Sequence, residues 1–381
     1  MTDREHDVVV FGATGFTGAL TARYLAQQAK PGTRWAVAGR SRDKLARVLE
    51  TIGADVPLVI ADTTDAASMR ALAASTKVVI TTVGPYIAYG EPLVDACAAE
   101  GTAYVDLTGE PEFMDRMYVR HHRRAAVTGA RIVHACGFDS IPHDLGVHFT
   151  VQHLPEGVPI HVDGYVRAGG TASGGTVASA LGIMGRSRQA QKAHGERMRA
   201  EPDTPGRRAR AVLGRPRHED GVGWLLPMPT IDPQVVRQSA RALERYGPDF
   251  TYAPYIAVRR LPAAIGLAGG VGALFAAAQV APARKLISSR IPQGSGPSPE
   301  QRAKGWFKLT FAGTGGGERV VTEVSGGDPG YGETAKMLAE AALCLAHDDL
   351  PEVAGLLTTA QAMGDALRER LVRAGISFDV R

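Results

Sequence analysis

Three glycines spaced Gly12-x-x-Gly15-x-x-Gly18 follow directly on the apolar run Val8–Phe11 and lead into the helical pattern Leu20, Tyr24, Leu25. Residues of this kind at this spacing suit the pyrophosphate of a dinucleotide. A glycine lets the backbone come close to a phosphate, and the helix that follows aims N–H groups and its positive dipole end at it. Thr14, Phe16 and Thr17 fill the loop between the glycines and join Gly12, Gly15 and Gly18 as expected cofactor contacts. The common Gly-x-Gly-x-x-Gly spacing is altered here, so the first turn must be built differently. A glycine-rich strand-to-helix turn that binds nothing is the bland alternative.

The second apolar run, Trp35–Ala38, is followed by Gly39-Arg40-Ser41-Arg42-Asp43-Lys44. A cofactor with a free ribose 2′-hydroxyl is usually held by an acid in this region. Arg40, Ser41 and Lys44 offer two cations and a hydroxyl instead, which suits a 2′-phosphate. NADPH is therefore expected over NADH, with a solvated basic turn as the alternative. Asp62, after the third run, stands where it could meet an adenine amine or cap a helix. Val83, Gly84 and Pro85, after the fourth, form a turn where the nicotinamide ribose would pass, or simply a Gly-Pro turn.

These residues need a sheet to hold them. Runs at Val8–Phe11, Trp35–Ala38, Leu58–Ile60, Val78–Thr81, Ala103–Val105 and Arg131–His134 alternate with helical stretches, which implies an α/β fold with a doubly wound parallel sheet of the Rossmann type. Residues 147–330 change texture, with β-rich segments at His161–Arg167, Trp306–Phe311 and Val320–Val324 among helices, and read as a second α+β domain. The expected division is 1–146 for cofactor binding, 147–330 for substrate or oligomer contacts, and 331–381 as C-terminal helices returning to the first domain, with a short final strand at Ile376–Val380.

With 381 residues and 44% apolar composition there is room for two cores, and a net charge of +4 does not point to nucleic acid. Cys97, Cys136 and Cys344 are far apart and odd in number, which fits a reducing compartment and gives no disulfide framework or zinc spacing, so no metal is expected. The charged N-terminus does not read as a signal peptide, and a cytoplasmic location is expected. Between Arg186 and Arg217, ten Lys/Arg face three acids. This is a solvated helix and loop, or a docking face for an acidic partner such as a carrier protein or anionic lipid. No aromatic residues interleave as nucleic acid would require.

Residues 261–283 carry no charge and no histidine in 23 positions, between Arg259-Arg260 and Arg284-Lys285. A buried or oligomer-interface helix, a lipid-contacting segment and a true membrane span are the three readings. The expectations attached to them are a homo-oligomer and peripheral contact with the inner face of the membrane.

Further strings complete the picture: Tyr104–Glu110, Gly137–Gly146, Ser173-Gly174-Gly175-Thr176, Gly330-Tyr331-Gly332-Glu333-Thr334-Ala335 and Gly355–Ala360. With the N-terminal glycine loop and Val83–Tyr86 they resemble the saccharopine dehydrogenase-like oxidoreductases, nearest the branch of actinobacterial trans-acting enoyl reductases. Only Thr359 departs, standing where a proline is usual. The resemblance covers nearly the whole chain. It implies a Rossmann domain, NADP, and reduction of a carbon–carbon double bond in a lipid or polyketide acyl substrate, carried in some cases on a carrier protein.

Such a reduction needs a hydrogen-bond donor for the carbonyl oxygen and a proton for the α-carbon. Tyr86, beside the expected nicotinamide, is the candidate donor. His143 is the candidate proton source, with Asp139 and Ser140 either assisting or starting a helix. Tyr104, Asp106 and Glu110 read as structural. No Tyr is followed four positions later by Lys, so the short-chain dehydrogenase mechanism is disfavoured. A saccharopine-type amino-acid dehydrogenase and a non-catalytic NADPH-binding protein at lipid surfaces are the rival readings.

Overall fold

The structure, a computed structural model, describes residues 4–170, 184–228, 230–280 and 296–381. In chain order the first elements are β1 (His6–Phe11), α1 (Phe16–Gln28), β2 (Trp35–Gly39), α2 (Arg42–Ile52), β3 (Leu58–Ile60), α3 (Ala66–Ser75), β4 (Thr76–Thr81), α4 (Tyr86–Tyr89), α5 (Glu91–Glu100), β5 (Ala103–Asp106), α6 (Pro111–Thr128) and β6 (Arg131–Val133). Then come α7 (Ile141–Val151), β7 (Ile160–Gly169), α8 (Ser187–Ala200), β8 (Arg208–Ala211), β9 (Arg217–Glu219), β10 (Gly223–Pro227) and α9 (Asp232–Ala242). The chain closes with β11 (Asp249–Val258), α10 (Leu261–Gln279), α11 (Pro299–Arg302), β12 (Trp306–Gly315), β13 (Glu318–Gly326), α12 (Gly332–His347), β14 (Gly355–Leu357), α13 (Thr359–Ala362), α14 (Gly364–Arg373) and β15 (Ser377–Val380).

One compact unit comprises Met1–Phe138, Ala193–Ala200 and Tyr331–Ala374. Its sheet runs β14-β6-β5-β4-β1-β2-β3, with every pairing parallel. β1 is buried along its whole length, as an interior parallel strand covered on both faces must be. The strand order reverses between β1 and β4, and such a switch point opens a crevice at the carboxyl ends of the strands. Ser41 caps α2, whose C-terminal Gly53 closes it in the left-handed conformation at φ 67°. α12 packs its Ala- and Leu-rich face against α1 and the sheet. Arg197, fully buried, ties the segment 193–200 to α6. Its guanidinium meets Asp115 at 3.1 Å and lies 4.4 Å over the Tyr118 ring.

The other unit comprises Asp139–Lys192, Glu201–Gly330 and Gly375–Arg381. Its mixed sheet runs β15-β13-β12-β7-β11-β10-β9, with β8 also on β11. α7 packs on β12 and β13 at Gly146, where an added Cβ would sit 2.2 Å from the Phe311 ring. The division falls after Phe138 rather than after Gly146, because α7 is bound to the second sheet. β15 likewise pairs antiparallel with β13, so residues 375–381 leave the C-terminal helices and belong to the second unit.

Candidate functional site

The glycine loop follows β1. Gly12 takes φ +90°, which disfavours other residues, and donates its N–H to the Ala38 carbonyl at 2.9 Å. A Cβ on Gly12 would lie 2.8 Å from both Thr82 Oγ1 and Val83 Cγ2, and one on Gly18 would lie 2.3 Å from the Gly12 carbonyl oxygen. Packing within the unit therefore explains both glycines. Gly15 is different. It is exposed, its φ of −80° is open to any residue, and a Cβ there would meet only the Gly12 oxygen at 3.4 Å. Its lack of a side chain leaves room outside the protein, at the N-cap of α1, whose first turn holds no acid. That cradle fits a pyrophosphate. Thr14 is exposed beside it, and Thr17 accepts the Thr21 hydroxyl on its carbonyl at 2.9 Å. The Phe16 ring meets Tyr331 edge-on at 4.7 Å, so the Gly330–Ala335 string braces the glycine loop.

At the end of β2, Arg40 is exposed, and neither Arg40 nor Lys44 forms a side-chain hydrogen bond or ion pair with the described residues. Ser41 Oγ accepts the Lys44 N–H at 3.4 Å, so its hydroxyl starts α2. After β3, Asp62 Oδ1 accepts the Thr64 N–H at 3.0 Å and its hydroxyl at 2.9 Å. Those two bonds, with a smaller contribution from the nearby Arg40 charge, hold the Asp62 carboxyl below its ordinary range. Of the two readings for Asp62, turn capping is visible.

After β4, Thr82 donates its N–H to Phe11 at 3.0 Å and its hydroxyl to Gly12 at 3.1 Å, fastening the turn Val83-Gly84-Pro85 to the glycine loop. The Gly84–Pro85 peptide is cis, and Gly84 and Pro85 are exposed. Behind them the Glu110 carboxylate accepts the N–H groups of Tyr86 and Ile87, each at 2.9 Å. Desolvation pushes the Glu110 carboxyl up, against the pull of those two bonds.

Tyr86 does not fit its expected role. Its side chain lies in the core of the unit, where the phenol donates to the Thr81 carbonyl at 3.1 Å and accepts the Leu107 N–H at 3.2 Å. Burial, followed by the Asp106 charge, pushes its pKa well above the usual phenol value. A hydroxyl committed on both sides and shielded from solvent is a structural group.

Asp106, Tyr104 and Glu110 are structural as well. Asp106 meets the Nδ1 of His134 at 2.7 Å, accepts the Tyr104 hydroxyl at 2.9 Å, and accepts the N–H groups of Thr108 and Ala135 at 3.0 and 2.9 Å. Ala135 sits at φ 59°, an uncommon conformation that the Asp106 clamp holds in place.

In the second unit, Ser140 is the N-cap of α7 but makes no side-chain capping bond, and its buried Oγ has no partner among the described residues. Asp139 is exposed. The His143 ring is buried, with Nδ1 3.1 Å from the Tyr252 hydroxyl and 3.2 Å from Asp232 Oδ2. Tyr252 also donates to Asp232 at 3.1 Å, and Thr230 donates its hydroxyl to the same carboxylate. Burial raises the Asp232 carboxyl, opposed first by the His143 charge. Nothing local in the sequence marks Asp232 or Tyr252 as partners of His143. Asp232-Pro233 looks like an ordinary helix start, and only the fold brings it to His143. Ser173–Thr176, Arg284 and Lys285 lie outside the described residues.

Residues 8–133 match the family Saccharopine dehydrogenase NADP binding domain, so the first unit is an NADP-binding domain. Over the whole length, a Mycobacterium tuberculosis protein named provisionally as a trans-acting enoyl reductase is 40% identical, with 99% of this chain and 98% of that protein aligned. The trans-acting enoyl reductase of Mycobacterium ulcerans is 37% identical, over 98% and 97% of the two chains. Among solved structures, the saccharopine dehydrogenase (L-Glu forming) of Saccharomyces cerevisiae shares the fold, with a TM-score of 0.56 over 99% of each chain at 10% identity. On the strength of the full-length matches, the chain belongs to the saccharopine dehydrogenase-like family that contains these trans-acting enoyl reductases.

Proposed function

We propose that the protein is an NADPH-dependent enoyl reductase that saturates the α,β double bond of a lipid or polyketide acyl chain. The observation that carries the cofactor half is the pairing of an open cradle at Gly15 with two uncommitted cations, Arg40 and Lys44, one strand away. Full-length relatives named trans-acting enoyl reductases carry the reaction half. Gly12–Gly18 and the N-terminus of α1 would hold the pyrophosphate; Arg40, Ser41 and Lys44 would hold the 2′-phosphate. Asp62 would border the adenine, and Val83–Pro85 the nicotinamide ribose. When bound, NADPH supplies a hydride, two electrons with one proton, to the β-carbon.

The second proton must come from the protein or from water. His143 is the candidate, with its ring held in place at Nδ1 by Asp232 and Tyr252. Asp139 and the Ser140 hydroxyl lie within the same stretch of chain. With Tyr86 committed to the core, the donor for the carbonyl oxygen comes from this stretch. The finer expectations belong to this reading too: an acyl chain presented on a carrier protein, a homo-oligomeric enzyme, and a cytoplasmic location at the inner face of the membrane.

Absorbance at 340 nm tests the proposal. NADPH should be consumed in the presence of a 2-enoyl thioester, and NADP should not be reduced by saccharopine. The opposite pattern would move the protein to amino-acid oxidation. Tight NADPH binding without turnover of either substrate would leave a binding protein.

A further inference from the structure

α10 is apolar around its whole circumference. From Leu261 to Ala278 no side chain carries a polar atom. Among the described residues it is largely exposed, with only Ala264 and Ala278 buried along it, Ile265 64% exposed and Phe275 47% exposed. A Cβ added at Gly266, Gly269, Gly270 or Gly272 would meet nothing within 4 Å. A helix docked on a protein partner buries one face and turns a polar face to water. A helix without a polar face needs a non-aqueous medium on every side.

The topology decides how such a helix can meet lipid. The chain leaves the second sheet at Val258, the end of β11, and re-enters it at Trp306, the start of β12. Both strands flank β7, and Trp306 pairs with Gly169 at the same end of β7 where Ile256 pairs with Val166. Exit and return therefore lie about 10 Å apart on one edge of one sheet. A helix that crossed a bilayer would have to send the chain back through it. The sequence between Val280 and Ser298 carries Arg284, Lys285 and Arg290 and has no second apolar run of spanning length.

We infer that α10 inserts into one leaflet of an anionic bilayer and anchors the protein there without crossing, with Arg259 and Arg260 at its N-terminal end against the head groups. The two arginines precede the helix directly, and α10 has no acid to repel an anionic surface. At about 1.5 Å per residue the 19-residue helix is longer than one leaflet is deep, so it lies near the membrane plane, and its lack of a polar face sets it below the head groups rather than half-immersed as an amphipathic helix is. The inference is independent of the reaction proposed above and can stand or fall without it.

Flotation of the full-length protein with vesicles of phosphatidylglycerol and phosphatidylcholine tests it. The wild type should float with the vesicles. The variant I265S/L267S/F275S should partition at least about a hundred-fold less, while its melting temperature and NADPH affinity stay unchanged. Replacing Arg259 and Arg260 by Gln should weaken partitioning about five-fold per charge at low salt, and much less on neutral vesicles. Failure of the wild type to float would overturn the inference. So would a triple variant that loses its melting transition, since the side chains would then belong to a protein core. A wild-type oligomer that the triple variant converts to monomers would also overturn it, in favour of a second copy covering the helix.

Discussion

The phenol of Tyr86 donates to the backbone carbonyl of Thr81, 3.1 Å away in the interior of the NADP-binding unit. The bond turns a side chain that looks catalytic in the sequence into a brace between the end of β4 and the turn that follows it. Tyr86→Phe should cost about 1 kcal/mol of stability, because the Leu107 N–H loses its acceptor as well. Turnover should stay within about two-fold of wild type, since a role outside the reaction carries no transition-state contact. Urea denaturation and steady-state rates on the same preparation check both halves.

Gly15 and Gly18 should respond in opposite ways to one methyl group. In Gly18→Ala the new carbon meets the Gly12 carbonyl, and the fold should lose about 2–3 kcal/mol. In Gly15→Ala the protein has room, so stability should change by less than about 1 kcal/mol, the cost of a poorer N-cap. NADPH should nevertheless bind about ten-fold more weakly or worse, because the methyl occupies the cradle. Thermal melts and fluorescence titration separate the two effects.

Much of this was legible in the sequence, and the parts that were not have physical reasons. The six apolar runs of the first sheet appear as β1 to β6, five of them because interior parallel strands need continuous apolar side chains, while β3 lies at the edge and is only partly buried. The seventh strand, β14, is three residues long, too short to show a period. β11 does not read as a strand in the sequence because Pro254 sits mid-strand, opposite Gly164 in a parallel pairing. The glycine loop and Arg40 could be read because local spacing carries their chemistry. Asp232 and Tyr252 could not, being 89 and 109 residues from the histidine they hold. Tyr86 misled because position after a strand says nothing about which way a ring turns.

Arg40→Ala should weaken NADPH by about 1.5–3 kcal/mol and leave NADH nearly unchanged, the range for a charge-assisted contact with a phosphate. Titration of both cofactors against both proteins measures it. Equal losses for the two cofactors would remove Arg40 from the 2′-phosphate.

At the start of β1, Asp7 meets Lys77 at 2.8 Å and accepts the Arg34 N–H at 2.9 Å. Burial alone would raise its carboxyl, but the Lys77 and Arg34 contacts outweigh it and pull the pKa down to about 2. A carboxyl depressed by folding stabilises the fold above its unfolded pKa and loses that contribution as pH falls through the folded value. Asp7→Asn should thus cost about 2 kcal/mol at neutral pH, and the gap to wild type should close between about pH 4 and pH 2. Denaturation midpoints across that range test the sign.

The most direct test of the central claim follows the hydrogen itself. The protein is supplied with a 2-enoyl thioester and NADPH deuterated at the transferable C4 position, and the product is analysed by mass spectrometry. The account predicts a saturated thioester carrying a single deuterium on its β-carbon, with formation strongly reduced in His143→Gln. An unchanged enoyl substrate, or a saturated product without deuterium, would contradict it.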